Sequence, residues 1–539
     1  MKKNTNTLEK IVASILAIII LYFAMLPPLN LQSLSFYYFI FICIMICGGI
    51  KYITILKTFT NSGNINLNNI NNLKSNKKTT ALAGICGAII IGLMINSFIF
   101  SPLIQAKLYA SRIEITDGNF NDEIGQINVD SLPLLDRDST QRIGDRVMGE
   151  IPELISQFIV SNEYTQINYK DQLVRTTPLE YADLFRWFIN KEAGIPGYIQ
   201  VNSTTGISNF IDVEDGIKYS PSAILFKNLK LHLRLSFPTL EFDNSRFEID
   251  EDGKPYWITP VIKYIGIGML PDIKGVIATN ATDGISEYYD VKDVPKWIDN
   301  VYPSRLIISQ IDNWGTYKGG FFNTIIGKRD VKVSTSGYTY IGTGNDISLY
   351  TGITSVTSDE SNIGFVLVNL RNKNATYYSA PGAQEVSAMQ SAQGAIQEKK
   401  YIPTFPLLTN VDSRPTYLLS LKDNAGLVKA YAFVDVADYQ KVMVTDSSEG
   451  IKKALSNYRR MLGNDNVSTG DVDDKIGAIT GIESVVVDGQ TFYYMMIEND
   501  NNVYKIDIKV SDNVPFYNIE DIVEFEYRDD LYITKINKK

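Results

Sequence analysis

The stretch GYIQVNSTTGISNFID, residues 197–212, recurs in register as GVIATNATDGISEYYD at residues 275–290. Each version reads as an apolar strand, a polar turn and an aromatic strand. Two more distant versions follow: residues 364–379 (GFVLVNLRNKNATYYS) keep the first glycine, the asparagine and the tyrosine pair, and residues 416–431 keep the turn glycine in KDNAGLVKAY. Self-similarity of this kind indicates one structural unit that is used repeatedly. The sequence therefore predicts four β-hairpins of one design.

The turns of these hairpins carry a glycine at a recurring place. Gly206, Gly284 and Gly426 fall where a tight turn needs a positive φ, a backbone conformation that glycine adopts without steric cost. In the third hairpin Lys373 occupies the equivalent turn. We expect these residues to have a structural role.

Segments of helical character accompany the hairpins. Thr177 followed by Pro178 predicts a helix over 178–191, because threonine caps a helix and proline suits its first position. A hairpin cannot bury its apolar face alone, so each should pack against a helix or against the next unit. The predicted fold class is therefore α+β rather than a doubly wound parallel sheet. The other predicted helical segments are 139–160, 294–300, 383–397 and 448–462.

Strand–turn–strand units of this kind beside a helix resemble the small PepSY module of exported bacterial proteins. The resemblance covers about 16 residues in each of the four copies. PepSY modules occur in propeptides and in membrane-linked envelope proteins, where they are thought to bind or restrain partners. The resemblance therefore implies binding rather than catalysis. The third copy lacks the turn glycine and the fourth lacks the asparagine.

The first 105 residues contain three apolar runs long enough to cross a bilayer, which takes about 20 mostly apolar residues. The runs cover about 11–29, 34–56 and 80–103, and lysines are concentrated before the first run and between the second and third. Because cytoplasmic segments carry excess lysine, residues 1–105 are predicted to be a transmembrane anchor of three helices with a cytoplasmic N-terminus. The predicted location is the plasma membrane, with the rest of the chain extracytoplasmic. A cleavable signal peptide is the alternative for the first run, but its length disfavours it.

Charge is divided unevenly along the chain. Residues 1–105 carry eight lysines and one glutamate, a balance of +7, so the total of −9 leaves −16 for the remainder. An acidic region repels phosphate backbones, which excludes nucleic acid as an expected partner. All three cysteines, Cys43, Cys47 and Cys86, lie in the apolar runs, so the acidic remainder must be held together by its apolar core rather than by disulfides.

The remainder divides into three predicted parts. Residues 106–462 form the α+β repeat region, and residues 463–474 (GNDNVSTGDVDD) are a polar linker. Residues 475–539 contain five short strand candidates separated by turn signals, which predicts a small OB-like or SH3-like β-barrel. Because it lacks a basic face, we expect this barrel to be an accessory or protein-contact domain.

No catalytic, cofactor-binding or metal-ligating residue is predicted. The single histidine, His232, lies in LHLRLSF (231–237), whose alternation predicts a strand with His232 on its polar side. One histidine excludes a multi-histidine zinc site, and any Ser-His-Asp triad would have to include it. The acidic segments 250–252 and 359–360 read as solvated turns. The sequence leaves open whether they bind calcium or supply a pair of catalytic carboxylates.

Exposed aromatic rings are the best candidates for contact with a partner. Tyr289, Tyr378 and Trp297 lie in or beside the aromatic strands, where alternate side chains face outward. Small residues in the third apolar run, such as Gly84 and Gly87, would permit close helix contact and a homo-oligomer.

The function predicted from the sequence is a non-enzymatic, membrane-anchored scaffold or binding protein of the bacterial cell envelope. Its partner would be a protein or a cell-wall polymer. One alternative is a carboxylate-dependent cell-wall hydrolase, which requires two acids about 5–9 Å apart in a cleft. Another is a subunit of a membrane transport or export complex, which the scarcity of ionisable residues in the apolar runs disfavours.

Overall fold

The computed structural model describes residues 2–46, 77–129, 132–356, 361–463, 473–487, 490–500, 502–527 and 531–539. The chain divides into two compact units, Met1–Leu455 and Ser456–Lys539. Most of the predicted linker at 463–474 lies outside the described residues.

The apolar runs at the N-terminus form helices that are shorter or more bent than predicted. Among the described residues no single helix is long and apolar enough to cross a membrane; only a pair bent by 55°, Gly84–Ile99 with Pro102–Ala110, passes that test when taken together. This finding overturns the predicted three-helix anchor and the multi-pass plasma-membrane location. The helices of this region are Lys2–Met25, Leu34–Ile46, Lys77–Ile99 and Pro102–Ala110.

Proline explains two of these interruptions. The first helix ends at Met25, where Leu26 has a φ of 48° and Pro27 and Pro28 follow, because proline cannot donate the next helical hydrogen bond. Pro102 likewise begins a new helix in a new direction. Residues 47–56 of the second predicted run lie outside the described residues.

The described residues form five sheets, of which four share one topology. In each, the first and second strands both pair with the third, and the fourth and fifth strands then follow as an antiparallel meander. A helix precedes each sheet. We call these units copy 1 (137–217), copy 2 (229–290), copy 3 (304–383) and copy 4 (385–446). The chain thus contains four tandem versions of one α+β unit. The hairpins predicted in copies 1 to 3 join the fourth and fifth strands, whereas the one predicted in copy 4 joins the third and fourth strands.

The elements of each copy are as follows. Copy 1 has helices Arg137–Gly149, Pro152–Ile155 and Leu184–Asn190, and strands Phe158–Val160, Thr165–Tyr169, Gln172–Tyr181, Ile195–Asn202 and Ser208–Ile217. Copy 2 has helix Leu229–Ser236 and strands Glu241–Phe242, Arg246–Ile249, Pro255–Tyr264, Pro271–Asn280 and Ser286–Asp290. Copy 3 has helix Ser304–Tyr317 and strands Lys332–Ser334, Thr339–Thr343, Asp346–Ser355, Ser361–Asn369 and Ala375–Ala383. Copy 4 has helix Glu385–Ala395 and strands Ile402–Pro403, Leu407–Val411, Arg414–Lys422, Val428–Asp435 and Val442–Asp446.

Three further elements flank the four copies. Helix Phe120–Glu123 follows strand Ile115–Gly118, which pairs in parallel with the last strand of copy 3. Helix Ile451–Met461 follows copy 4.

Two of the predicted helices are wrong. Pro178 lies in a strand opposite Tyr198, and the helix begins only at Leu184, where the Asp183 carboxylate accepts the N–H groups of Phe185 and Arg186. Asp183 is therefore the cap that the Thr177-Pro178 pattern was expected to provide. Residues 294–300 form turns instead of a helix.

The hairpin turns have the predicted backbone geometry. Gly206, Gly284 and Gly426 have φ values of 76°, 81° and 78°, and Lys373 has a φ of 67°. In copy 1 the Asn202 side chain accepts the N–H groups of Thr204 and Thr205 at 3.0 and 2.9 Å. Asn280 and Asn369 likewise accept the N–H groups of the second and third residues after them in copies 2 and 3. The recurring asparagine is thus an Asx-turn residue that satisfies the turn backbone.

We expect Gly284→Ala to destabilise the chain more than Gly206→Ala. A left-handed alanine costs about 1–2 kcal/mol at either site. At Gly284 a Cβ would also lie 2.4 Å from the Tyr219 ring, whereas at Gly206 the nearest atom is 3.5 Å away on Leu135. The overlap adds about 1–3 kcal/mol. Urea unfolding of both variants measures the difference, and equal losses would contradict this account of the turns.

Neighbouring copies share their apolar cores. One core joins the sheets of copies 1 and 2 through Phe247 and Trp257, a second joins copies 2 and 3 through Ile258 and Val366, and a third joins copies 3 and 4. Since each sheet buries one face against the next sheet, neighbouring copies stabilise one another and are not independently folding domains.

The second unit contains the fifth sheet and its own core. Its strands lie in one open order, third–second–first–fourth–fifth, and one isolated bridge between Lys505 and Tyr532 links the two edges. The predicted closed barrel is therefore wrong, because a single bridge does not continue the ladder between the edge strands. The strands are Asp473–Val487, Gln490–Ile497, Val503–Asp507, Ile522–Tyr527 and Ile533–Lys538.

Candidate functional site

A cavity of about 780 Å³ lies where copy 1 meets copy 4. We call it the copy 1–copy 4 cleft. Helix Arg137–Gly149 forms one wall, and the hairpin turns that contain Gly206 and Gly426 contribute the others. Two of the three glycines singled out in the sequence therefore lie at one site, although 220 residues separate them along the chain.

Specific polar contacts hold the two copies together beside the cleft. Ser139 Oγ donates a hydrogen bond to the Gly426 carbonyl at 3.2 Å, and Ser420 Oγ donates one to the Leu134 carbonyl at 2.8 Å. Lys422 Nζ lies 2.5 Å from the Asp136 carboxylate. Burial alone would raise the pKa of Asp136, but the hydrogen bonds from Lys422 and Ser139 lower it below its usual value. The first and last copies are thus fixed relative to each other, and the cleft is a preformed feature.

The lining combines apolar side chains with a few charges. Arg146, Glu150 and Lys429 provide the charged groups. Phe210 and Tyr431 are the aromatic residues of the site. The sequence did not single out either residue, because only the packing of copy 1 against copy 4 brings them to one cavity. The apolar lining residues are Leu134, Leu135, Ile143, Val147, Ile151, Leu427 and Val428.

The aromatic residues proposed from the sequence as partner contacts lie elsewhere. The Tyr378 side chain is 5% exposed, stacks on Phe365 and donates a hydrogen bond to Glu123. Tyr289 and Trp297 pack at the edge of the core between copies 2 and 3. None of the three lines the copy 1–copy 4 cleft. Tyr378 is thus a buried packing residue, whereas Tyr289 and Trp297 are half-buried.

His232 does not have the geometry of a general base. It lies on helix Leu229–Ser236 rather than on the predicted strand. Its Nε2 is 2.8 Å from the Gly284 carbonyl and 3.2 Å from Ser286 Oγ. Because a carbonyl oxygen can only accept, Nε2 carries the proton and cannot take one from the serine. Burial also lowers the pKa of His232, which keeps the ring neutral. The contact instead ties this helix to the turn of copy 2.

A pair of buried acids lies where copies 1, 2 and 3 meet. The Glu248 carboxylate accepts the backbone N–H groups of Asp299 and Asn300 at 3.0 and 3.1 Å. Asp299 accepts the Asn168 N–H at 2.6 Å and the Arg371 guanidinium at 2.7 Å, and Arg371 also pairs with Asp346. We call these four side chains, Glu248, Asp299, Asp346 and Arg371, the acid network.

The two central acids of this network resist ionisation. Burial raises the pKa of Glu248. Burial, followed by the nearby Glu248 carboxyl, raises the pKa of Asp299 to about 8 despite the Arg371 contact. Raised carboxyl pKa values are typical of catalytic acids, but they also occur in structural networks. Both acids are enclosed by protein, with Glu248 0% and Asp299 1% exposed, so this pair lacks the substrate access that a glycosidase needs.

The other acidic candidates form no site in the described residues. Asp250 accepts the N–H groups of Asp252 and Lys254, which makes the segment a capped turn. Asp359 and Glu360 lie outside the described residues. Within the described ranges no three His, Cys, Asp or Glu side chains are grouped so as to hold a metal ion.

Comparison with known proteins assigns no relative to this chain. No model of a known protein family matches it, and no curated protein matches it. The resemblance to PepSY modules therefore stays a prediction that rests on the hairpin pattern alone.

Proposed function

We propose that this chain is a non-enzymatic scaffold that holds a partner in the copy 1–copy 4 cleft. The observation that carries the proposal is the placement of two hairpin turns, one from each end of the repeat array, on a single cavity of about 780 Å³. Loops on a rigid framework are the usual place for binding surfaces. Here the shared cores of the four copies supply the framework.

A protein segment is the partner that fits this lining best. The apolar groups of Ile143, Val147 and Leu427 provide area to bury, while Arg146 and Glu150 offer charges of both signs. A mixed lining of this kind suits a peptide with apolar and polar side chains, whereas a uniformly charged polymer would meet an unfavourable charge on one wall.

The chemistry of the chain agrees with binding rather than turnover. His232 carries its proton on the nitrogen that faces Ser286, so this pair lacks a base. The Glu248–Asp299 pair is enclosed by protein. The two arrangements most similar to catalytic ones therefore have structural explanations.

Leu427→Asp tests the proposal, because it places a charge in the cleft without replacing a core residue. The full-length chain and the variant are each immobilised and exposed to an extract of the source cells. We expect the unaltered chain to retain a defined partner protein and the variant not to retain it. Ile402→Asp is the matched control, since Ile402 is also an exposed apolar residue of copy 4 and does not line the cleft. Equal retention by both variants, with unchanged melting temperatures, would overturn the cleft assignment.

The hydrolase alternative predicts a different result. Purified chain incubated with isolated cell walls would release soluble saccharide, and Glu248→Gln would abolish the release. We expect no release above that of a heat-treated sample.

A further inference from the structure

A second cavity of about 490 Å³ lies within copy 3, remote in sequence from the residues of the copy 1–copy 4 cleft. The end of helix Ser304–Tyr317, the loop 318–330 and the first strand of the copy form its walls. Its volume falls within the range of about 300–1,000 Å³ that small-molecule sites occupy. We call it the Trp314 cavity; its lining residues are Trp314, Gly315, Lys318, Gly319, Asn323, Arg329, Asp330 and Lys332.

The walls of the Trp314 cavity are held by local contacts. Gly315 lets the helix approach the strand closely, since a Cβ there would lie 2.3 Å from the Lys332 carbonyl. Asn323 closes the loop: its Nδ2 donates to the Arg329 carbonyl at 2.8 Å, and its Oδ1 accepts the Arg329 N–H at 3.2 Å. The cavity is therefore organised by its own chain segment.

Positive charge dominates the lining. Lys318, Arg329 and Lys332 face one acid, Asp330, in a chain whose net charge is −9. The only ion pair among the lining residues is Arg329 with Asp330 at 4.0 Å, and both side chains are about 90% exposed, so it is weak. Among the described residues neither Lys318 nor Lys332 forms a salt bridge. The cavity thus holds an excess of cations without matching carboxylates.

Aromatic rings hold the two lysines in place. The ammonium groups of Lys318 and Lys332 lie 5.5 and 5.9 Å from the centroid of the Trp314 ring, and Lys332 lies 4.6 Å from that of Tyr377. Cation–π contacts of this kind restrict the ammonium groups without neutralising them. The two ammonium groups therefore remain available to a ligand, and the half-buried indole ring of Trp314 lies beside them.

We propose that the Trp314 cavity binds a small cyclic sugar that bears an anionic group, either a sugar phosphate or a uronate. The lysine and arginine groups would pair with the phosphate or carboxylate, and the indole would contact the apolar face of the ring. This inference is independent of the partner of the copy 1–copy 4 cleft.

Calorimetric titration of the full-length chain tests the proposal with four probes: glucose 6-phosphate, glucuronate, neutral glucose and inorganic phosphate. We expect the first two to bind, with an affinity that falls as salt is raised, and glucose not to bind. The relative affinity of the two anionic sugars shows which charged group the cavity prefers. Binding of glucose as tight as that of both charged sugars, or of inorganic phosphate as tight as glucose 6-phosphate, would overturn the proposal, as would no binding of either charged sugar.

Lys332→Gln should weaken binding of the charged sugars at least about tenfold, which corresponds to about 1.4 kcal/mol. Lys328→Gln is the matched control, because it removes the same charge from the adjoining loop, and Lys328 does not line the cavity. An equal effect of the two substitutions would contradict the assignment. If Lys332→Gln lowers the melting temperature, Lys318→Gln is tested in its place, because Lys318 is exposed. This substitution should also weaken binding, and unchanged affinity would refute the site.

Discussion

Replacing Arg371 with methionine is expected to lower the free energy of unfolding by about 1.5–3 kcal/mol at pH 7, the range for losing a hydrogen bond to a charged group. The guanidinium lies 2.7 Å from Asp299 and 2.8 Å from Asp346, and the Asp299 side chain is 1% exposed. Methionine keeps most of the side-chain volume but removes the charge. The Asp299 carboxyl then loses the Arg371 hydrogen bond at a place where its side chain is almost fully enclosed by protein.

Arg305→Met is the matched control for this prediction. Arg305 pairs with Asp243 at 3.6 Å, but its side chain is 86% exposed. An exposed pair contributes about 0–1 kcal/mol, so the control should lose no more than that. Urea unfolding measures both variants. Similar losses would show that the acid network does not hold copies 1, 2 and 3 together.

Glu248→Gln is expected to change how stability depends on pH. The folded chain binds a proton at the acid pair more tightly than the unfolded chain, because burial raises the pKa of Glu248 and raises that of Asp299 to about 8. The stability that this bound proton contributes is fully present below a pH of about 4, the carboxyl pKa in the unfolded chain. It is lost as the pH rises through the higher carboxyl pKa of the folded chain. Glutamine resembles the protonated acid and has no proton to lose.

The unfolding free energy of the unaltered chain should therefore fall relative to that of the variant as the pH rises from 5 to 9. The slope of this difference should be on the order of 1.4 kcal/mol per pH unit while Glu248 releases its proton, since Asp299, whose pKa burial also raises, titrates in both proteins. The comparison cancels His232, whose lowered pKa acts in both proteins and has the opposite sign. A difference that stays constant across this range would show that the acid pair is ionised at every pH.

The repeated hairpins were predictable because their signal is local. The Gly-Ile-Ser turns and the asparagine before them specify φ values and hydrogen bonds within six residues, and the structure has those turns at Gly206 and Gly284. The first two strands of each copy carry no such signal. They are short and pair with a third strand whose register depends on the core beneath it, so propensity alone did not identify them.

Local patterns failed where two interpretations compete. LHLRLSF alternates like a strand, but Asn228 caps a helix there and accepts the Leu231 N–H. Leu229 and Leu233, four residues apart, are then buried on one side of it. Tertiary packing on the sheet of copy 2 decides between these interpretations.

The candidate sites depend on distant residues. Phe210 and Leu427 line one cleft only because copies 1 and 4 are brought together through Ser139 and Lys422. Glu248 and Asp299 are 51 residues apart in sequence. A single sequence can identify such residues as turn, aromatic or acidic, but their proximity arises from the packing of the four copies.

Photo-crosslinking from both walls of the copy 1–copy 4 cleft tests the scaffold proposal most directly. Benzoylphenylalanine would replace Phe210 in one variant, Leu427 in a second and Ile402 in a control, each produced in the source cells. We predict adducts of one common partner from positions 210 and 427 and none of that species from 402. Adducts from 402 alone, or unrelated species from the two walls, would contradict a single partner held between copies 1 and 4.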